Sequence, residues 1–133
     1  MNNSTTVQEI YAAFQRGDVP AILSRVAENV DWRNDGVESR DCPWNGNFSG
    51  RSHLPGFFTA LAEQLDFKVF DVKSVIASGQ SVAVHLRIES VLRKNGRPLR
   101  NDAMHLWSFD DHGHVTRYRH FNDTAAEAAA WRA

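Results

Sequence analysis

Arg100-Asn101-Asp102-Ala103-Met104-His105-Leu106-Trp107-Ser108-Phe109, then Asp110-Asp111-His112-Gly113, then His114-Val115-Thr116-Arg117-Tyr118-Arg119-His120-Phe121-Asn122: this run decides the fold. Each flank alternates side-chain type with a period of two, as strands do, and the four polar residues between them read as a turn. Pairing outward from that turn sets Phe109 opposite His114, Trp107 opposite Thr116, His105 opposite Tyr118 and Ala103 opposite His120. His105, Trp107, Tyr118, His120 and Asn122 then share one face.

The preceding hairpin decides whether that face looks inward. Asn95-Gly96 suits a two-residue type I′ turn, in which both positions need positive φ, and such a turn pairs Leu92 with Leu99 and Ile88 with Ala103. His105 then lies beside Leu86. From Ser81 to Val91, Val82, Val84, Leu86 and Ile88 fall on one side and Ala83, His85, Arg87 and Glu89 on the other. The apolar set shares its face with His105 and Trp107, so titratable groups are expected inside an apolar interior. Arg87 and Glu89, with Met104, Leu106 and Arg117, are expected on the outer face.

Working outward, the 133 residues suit a single domain, residues 1–133, and 42% hydrophobic with 23% charged content is ordinary for a globular chain. A formal charge of −1 with dispersed Lys and Arg argues against nucleic acid and against an anionic membrane as partner. One cysteine, Cys42, excludes an internal disulfide and fits a reducing cytoplasm, the expected location. The polar start reads as no signal peptide, and no apolar run approaches a membrane span. No metal-ligand spacing or phosphate loop appears, so neither metal nor cofactor is expected.

Val7, Ile10, Tyr11 and Phe14 recur at helical spacing up to a stop at Gly17. Asp18 is expected to cap a second helix, with Pro20 in its first turn and Ile22, Leu23 and Val26 as its apolar stripe. A short strand from Val30 to Asn34 precedes a Gly-rich stretch, Asp35 to Gly50, which reads as a long loop and a lid carrying Trp44. Ser52 is expected to cap a third helix carrying Leu54, Phe57, Phe58, Leu61 and Leu65, followed by a strand from Phe67 to Ile76. Thr124-Ala125-Ala126-Glu127 matches a capping box, with Asp123 as a competing cap, and opens a short C-terminal helix. Helices followed by a run of antiparallel strands indicate α+β.

Several phrases in this order carry a resemblance: Val7 to Phe14, Arg16 to Leu23, Asn29-Val30-Asp31-Trp32, Ser49-Gly50-Arg51-Ser52, Asn95-Gly96-Arg97-Pro98, Met104 to Phe109 and Gly113 to Ala125. Together they resemble the SnoaL-like, ketosteroid isomerase-related branch of the nuclear transport factor 2-like superfamily. The resemblance implies a cone-shaped α+β barrel, also called cystatin-like, in which a curved, mostly antiparallel sheet wraps around N-terminal helices. It also implies an apolar pocket and a homodimer. Family functions are diverse, so the fold does not name a reaction. Aligned on Gly17-Asp18, the isomerase's basic aspartate falls on Asn34 and its tyrosine on Ile10, beside Tyr11; its protonated aspartic acid falls on His105. The last-strand acid of related epoxide hydrolases and cyclases falls on His120.

His105 or His120 is therefore the candidate proton-transfer residue, with Tyr118 fixing a tautomer or donating to a carbonyl oxygen. Trp32, Trp107, Asn34 and Asn122 are candidate ligand contacts, and Tyr11, Phe14, Phe57 and Phe58 candidate apolar walls. Two readings stand at this point. One is a cofactor-free enzyme performing acid/base isomerisation, cyclisation or dehydration on a hydrophobic carbonyl compound; the other is a non-catalytic module that binds an apolar metabolite. In either reading the partner is a small hydrophobic molecule, and two copies are expected to pair through the outer sheet face.

Overall fold

A computed structural model describes residues 2–34 and 36–133. Asn2 caps the first helix, α1 (Asn3–Gln15), by accepting from the Thr5 amide at 2.8 Å, and Gly17, at φ 73°, turns the chain where a side chain would be strained. Asp18 caps α2 (Val19–Leu23) through the Ala21 amide at 3.2 Å, with Pro20 in the first turn. Val26 is not part of that helix. It begins β1 (Val26–Asn34), where it is fully buried opposite Val115, a placement that suits a β-branched side chain better than a helix end.

The stretch after β1 is not an open lid. From Gly36 to Asn45 three successive turns close on backbone hydrogen bonds, and β2 (Gly46–Asn47) pairs with the end of β1. Trp44 is 3% exposed and packs edge-on against Trp131. Asp35, part of the expected lid, lies outside the described residues. A 3₁₀ turn, Arg51–His53, leads into α3 (Leu54–Gln64), so Ser52 sits inside that turn and the helix has no side-chain cap. Leu65 opens β3 (Leu65–Ser78) and does not end the helix.

The long strands β3, β4 (Ser81–Leu92), β5 (Pro98–Phe109) and β6 (Val115–Phe121) complete one six-stranded sheet in the order β2-β1-β6-β5-β4-β3. All neighbours are antiparallel except β1 and β6. Irregularities at Phe67/Val69, Val72/Ser74 and Ser108/Phe109 interrupt the ladders and bend the strands, curling the sheet around α1 and α3. This is the expected α+β cone.

Both hairpin registers differ from the sequence expectation by two residues. Asn95 keeps negative φ and only Gly96 is left-handed, at φ 73°, so the turn widens and Leu92 pairs back to Arg97 at 2.8 Å. Asn95 spends its side chain on the Ala130 carbonyl at 2.8 Å. Leu99 therefore lies opposite Ser90, Asn101 opposite Ile88, and His105 opposite Val84 in place of Leu86. In the next hairpin the bulge adds to a longer turn, and His105 faces His120 while Trp107 faces Tyr118. A shift of two leaves the side-chain face unchanged. Val82, Val84 and Leu86 are fully buried, while Met104 and Leu106 are 38% and 37% exposed on the other side.

The C-terminal helix α4 (Thr124–Arg132) is capped by Asp123, which accepts from the Ala126 amide at 3.0 Å. Glu127 is thus one position too far along to close a capping box, and its side chain turns inward. Arg132 pairs with Asp41 at 2.8 Å and donates to the Glu38 carbonyl at 2.6 Å, and the Lys94 ammonium lies 4.1 Å above the Trp131 ring. These contacts hold α4 against the folded 36–45 segment. No described helix is long and apolar enough to cross a membrane.

The face assignment has a measurable consequence. Leu86→Ala, which empties a fully buried site, should cost about 2–5 kcal/mol in urea unfolding, whereas Ile76→Ala on the outer face of β3 should stay within about 1 kcal/mol of the parent. Equal costs would contradict the placement of the two faces.

Candidate functional site

Between the concave sheet face and helices α1 and α3 lies a cavity of about 90 Å³. Every residue singled out from the sequence lines it: His105, His120 and Tyr118; Trp32, Asn34, Trp107 and Asn122; Tyr11, Phe14, Phe57 and Phe58. The sheet supplies most of the polar ones, because residues two apart along a strand share a face. The wall is largely aromatic: the Trp32 ring stacks on Tyr118 with centroids 4.0 Å apart, and Trp107 meets Trp32 edge-on at 5.7 Å.

The buried polar groups satisfy one another in a chain that begins on a helix. Trp107 Nε1 donates to Tyr11 Oη at 3.0 Å, Tyr11 Oη lies 2.7 Å from His105 Nδ1, and His105 Nε2 lies 2.7 Å from His120 Nδ1. Tyr118 Oη is 3.2 Å from the same His105 Nε2. The sequence pairs Tyr118 across the strand from His105, but the group that holds His105 Nδ1 is Tyr11, here placed among the apolar walls by the sequence. Helical periodicity shows which way Tyr11 faces, not which strand residue it meets.

Donor accounting leaves two arrangements of the protons. The indole only donates, so Tyr11 Oη accepts from Trp107 in both. In the first, Tyr11 gives its own hydrogen to His105 Nδ1, His105 Nε2 donates to His120 Nδ1, the His120 proton stands on Nε2, and the Tyr118 hydrogen has no protein acceptor among the described residues. In the second, His105 Nδ1 donates to Tyr11, Tyr118 donates to His105 Nε2, and the hydrogen without a protein acceptor is that of Tyr11. Burial, with His120 adding to it, drives His105 well below the usual histidine range, and burial brings His120 down to about 4. Burial also raises Tyr11 and Tyr118 above the usual phenol range. At neutral pH the whole chain is uncharged, and it ends on His120 Nε2, which has no protein partner among the described residues.

A second group of polar residues, missed in the sequence, lies toward α4. Glu127 is 3% exposed and also lines the cavity. Its Oε1 accepts from Ser39 Oγ at 3.1 Å and from Asn45 Nδ2, and its Oε2 accepts from Asn122 Nδ2. The capping-box spacing hid this role. Ser90, Asn101 and Trp44 line the cavity too; Asn101 was readable, since it shares the period-two face of His105. Two further buried atoms, Trp32 Nε1 and Asn34 Oδ1, have no hydrogen-bond partner in the protein.

A curled sheet closed over N-terminal helices around an aromatic cavity is the nuclear transport factor 2-like cone. The SnoaL-like domain matches residues 7–118, and the chain belongs to that family. Among solved structures it is similar to a nuclear transport factor 2-like protein of unknown function from Burkholderia pseudomallei, at 24% identity over 100% of both chains and a TM-score of 0.88. TerC, co-crystallised with polyporic acid, is 23% identical over 98% of both chains with a TM-score of 0.85. A candidate polyketide cyclase from Pseudomonas putida is 17% identical over 98% of both chains with a TM-score of 0.81. At these identities the likeness is one of fold. No protein of curated function matches the sequence.

The histidine pair predicts a pH dependence of stability. Both groups bind protons less readily when folded than when unfolded, so below the ordinary value of 6.5 the unfolded chain takes up protons that the fold refuses. The thermal midpoint should therefore be level above about pH 7 and fall between 6.5 and about 4, less steeply in His120→Gln. Parallel pH profiles for the two proteins, measured by circular dichroism, would contradict the assignment.

Proposed function

We propose that this SnoaL-like protein is a cofactor-free enzyme that polarises the carbonyl group of a small hydrophobic substrate, for isomerisation, cyclisation or dehydration. The observation that carries the reading is the hydrogen-bond chain from Trp107 through Tyr11 and His105 to His120 at the wall of an aromatic cavity, and the reading takes the arrangement in which Tyr11 donates to His105 and His120 presents its Nε2–H. A neutral imidazole with a depressed pKa donates to a carbonyl oxygen without surrendering its proton, and the bond strengthens as negative charge develops on that oxygen. The high pKa of Tyr11 prevents the chain from delivering a proton outright. Its role is to lock both rings in the donating tautomer. The free hydroxyl hydrogen of Tyr118 and the unpartnered Trp32 N–H are further donors for the ligand, and Asn34 Oδ1 is an acceptor. The fold shared with a candidate polyketide cyclase, and with TerC bound to polyporic acid, supports a carbonyl compound as substrate.

The test is solvent-deuterium exchange at the carbon beside the carbonyl of hydrophobic ketones such as 2-tetralone, followed by mass spectrometry. The parent should accelerate exchange over buffer, and His120→Ala and His105→Ala should lower the rate roughly 100- to 10,000-fold. Tyr11→Phe, which keeps the ring and loses only the tautomer lock, should fall between. Variants as active as the parent would overturn the mechanism. Binding by tryptophan quenching with no turnover across a broad ketone panel would identify a non-catalytic carrier instead.

We also propose a homodimer built on the outer face of β4 and β5. There Met104 and Leu106 stand beside His85 paired with Asp102 at 3.1 Å and Arg100 paired with Glu89 at 3.2 Å. Mixed charges around exposed apolar groups suit an isologous contact, in which each basic group meets an acidic one of the other copy. Light scattering at micromolar concentration should return twice the mass of the chain, and Leu106→Arg should return a monomer.

A further inference from the structure

The donors on His120, Tyr118 and Trp32 explain how a carbonyl oxygen would be held but not what removes the adjacent proton. The depressed pKa values of both histidines make them poor bases. The cavity wall includes one carboxyl group among the described residues, that of Glu127.

Its hydrogen bonds leave one position open. Asn45 Nδ2 and Asn122 Nδ2 can only donate. Ser39 Oγ already accepts from Asn45 Nδ2 at 3.0 Å and so has its own hydrogen to give to Glu127. Three donors therefore converge on one carboxyl group, and none of them accepts from it. Of its four lone-pair positions two on Oε1 are taken by Ser39 and Asn45, one on Oε2 by Asn122, and the last, on Oε2, is free. No cation lies within ion-pairing distance of this buried group among the described residues. A purely structural tie between α4 and the 36–45 segment needs no charge, and burying one costs far more than burying an amide.

The position is right for chemistry. Asn122, which holds Oε2, lies two residues beyond His120 on the same face, so carboxylate and imidazole look into the cavity from neighbouring points of one wall. A second acceptor belongs to this end. Asn34 is the next residue after Arg33, which pairs with Arg119, and is itself paired with Gly46, the neighbour of Asn45; its Oδ1 is 4% exposed as a residue and has no donor. The cavity thus has a donor side, formed by His120, Tyr118 and Trp32, and an acceptor side, formed by Glu127 and Asn34.

We propose that Glu127 is the general base of the site, a reading that rests on carbonyl polarisation by His120. Its free Oε2 lone pair takes a proton from the carbon beside the substrate carbonyl. The C–H electron pair becomes a C–C double bond, and the carbonyl π pair moves to oxygen, where His120 Nε2–H and Tyr118 O–H hold the negative charge. Glu127 then returns its proton to the same carbon or to one further along the conjugated system, completing exchange or isomerisation with no oxidant or co-reactant. Asn34 Oδ1 is left to accept from a donor on the substrate where one is present.

The experiment is deuterium exchange into 2-tetralone with matched variants, folding checked by circular dichroism. Glu127→Gln should lower kcat roughly 100- to 10,000-fold and leave KM within about 3-fold. Ser39→Ala and Asn45→Ala loosen the tie to the 36–45 segment but keep the carboxylate, and should lower kcat less than 10-fold. Losses in those two as large as in Glu127→Gln would make Glu127 a structural tie and overturn the proposal, as would a Glu127→Gln variant that exchanges at the parent rate. If Glu127→Gln unfolds, the Ser39→Ala and Asn45→Ala rates decide: retained exchange supports the base, lost exchange refutes it. The outcome is separable from the wider reading. A parent protein that does not exchange, or His120→Ala at full rate, defeats carbonyl polarisation itself; loss in His120→Ala with retention in Glu127→Gln defeats only the base.

Discussion

The inner face of the sheet carries hydrogen-bonding groups in a place that excludes water, and the architecture depends on how they satisfy one another. A buried donor or acceptor left without a partner costs about 1–3 kcal/mol. Trp107, Tyr11, His105 and His120 avoid that cost only if α1 brings its third turn against β5 with the Tyr11 hydroxyl between indole and imidazole, at 3.0 and 2.7 Å. Apolar packing around Val7, Ile10, Val82, Val84 and Leu86 drives the helix onto the sheet, but such contacts are weakly directional. The hydrogen bonds select one position. Structure and candidate chemistry are therefore fixed by the same atoms.

The opposite end of the cavity is organised differently. There the chain turns three times between Gly36 and Asn45, and α4 returns to cover it, joined by the Glu127 cluster inside and the Arg132–Asp41 pair outside. Cys42 and Trp44 form a second small core with Leu65, Leu92 and Trp131. Burial pushes the Cys42 thiol up to about 12, which makes it a packing group and a poor nucleophile at neutral pH. The donor side is thus built from the regular sheet, whereas the carboxyl group opposite it stands on a short helix and is held by turns, the elements that vary most readily among proteins of one fold.

What was legible in the sequence follows from what periodicity encodes. Alternation along β4, β5 and β6 assigns each side chain to a face, and His105, Trp107, Tyr118, His120 and Asn122, placed together on the inner face from the sequence, all line the cavity. Alternation does not encode register. Asn95-Gly96 suggested the tightest hairpin, yet Asn95 is drawn into a hydrogen bond with α4, a contact that no local pattern reveals. The bulge in β6 was equally hidden. Glu127 was misread because Thr124 satisfies the capping-box spacing, while Asp123, one residue earlier, takes the cap and frees the glutamate side chain. The segment after β1 has no period at all, and its burial of Trp44 depends on a helix some 80 residues away in sequence, at Trp131.

The bulge deserves a second reading as an evolutionary device. Val115 and Tyr118 are both buried although they are three residues apart, which regular alternation forbids, and the extra residue between the Phe109–Val115 and Ser108–Arg117 pairs reconciles them. Continued alternation from Val115 would instead turn Arg117 and Arg119 inward and send Tyr118 and His120 out. Arg119 now pairs with Asp31 at 2.8 Å on the far side of the sheet. One strand thus stores two complete linings back to back, an uncharged hydrogen-bonding one and a cationic one. Moving a single irregularity along the ladder would exchange them with no change of side chain, and a lineage with this sheet could pass from neutral to anionic ligands through one insertion or deletion.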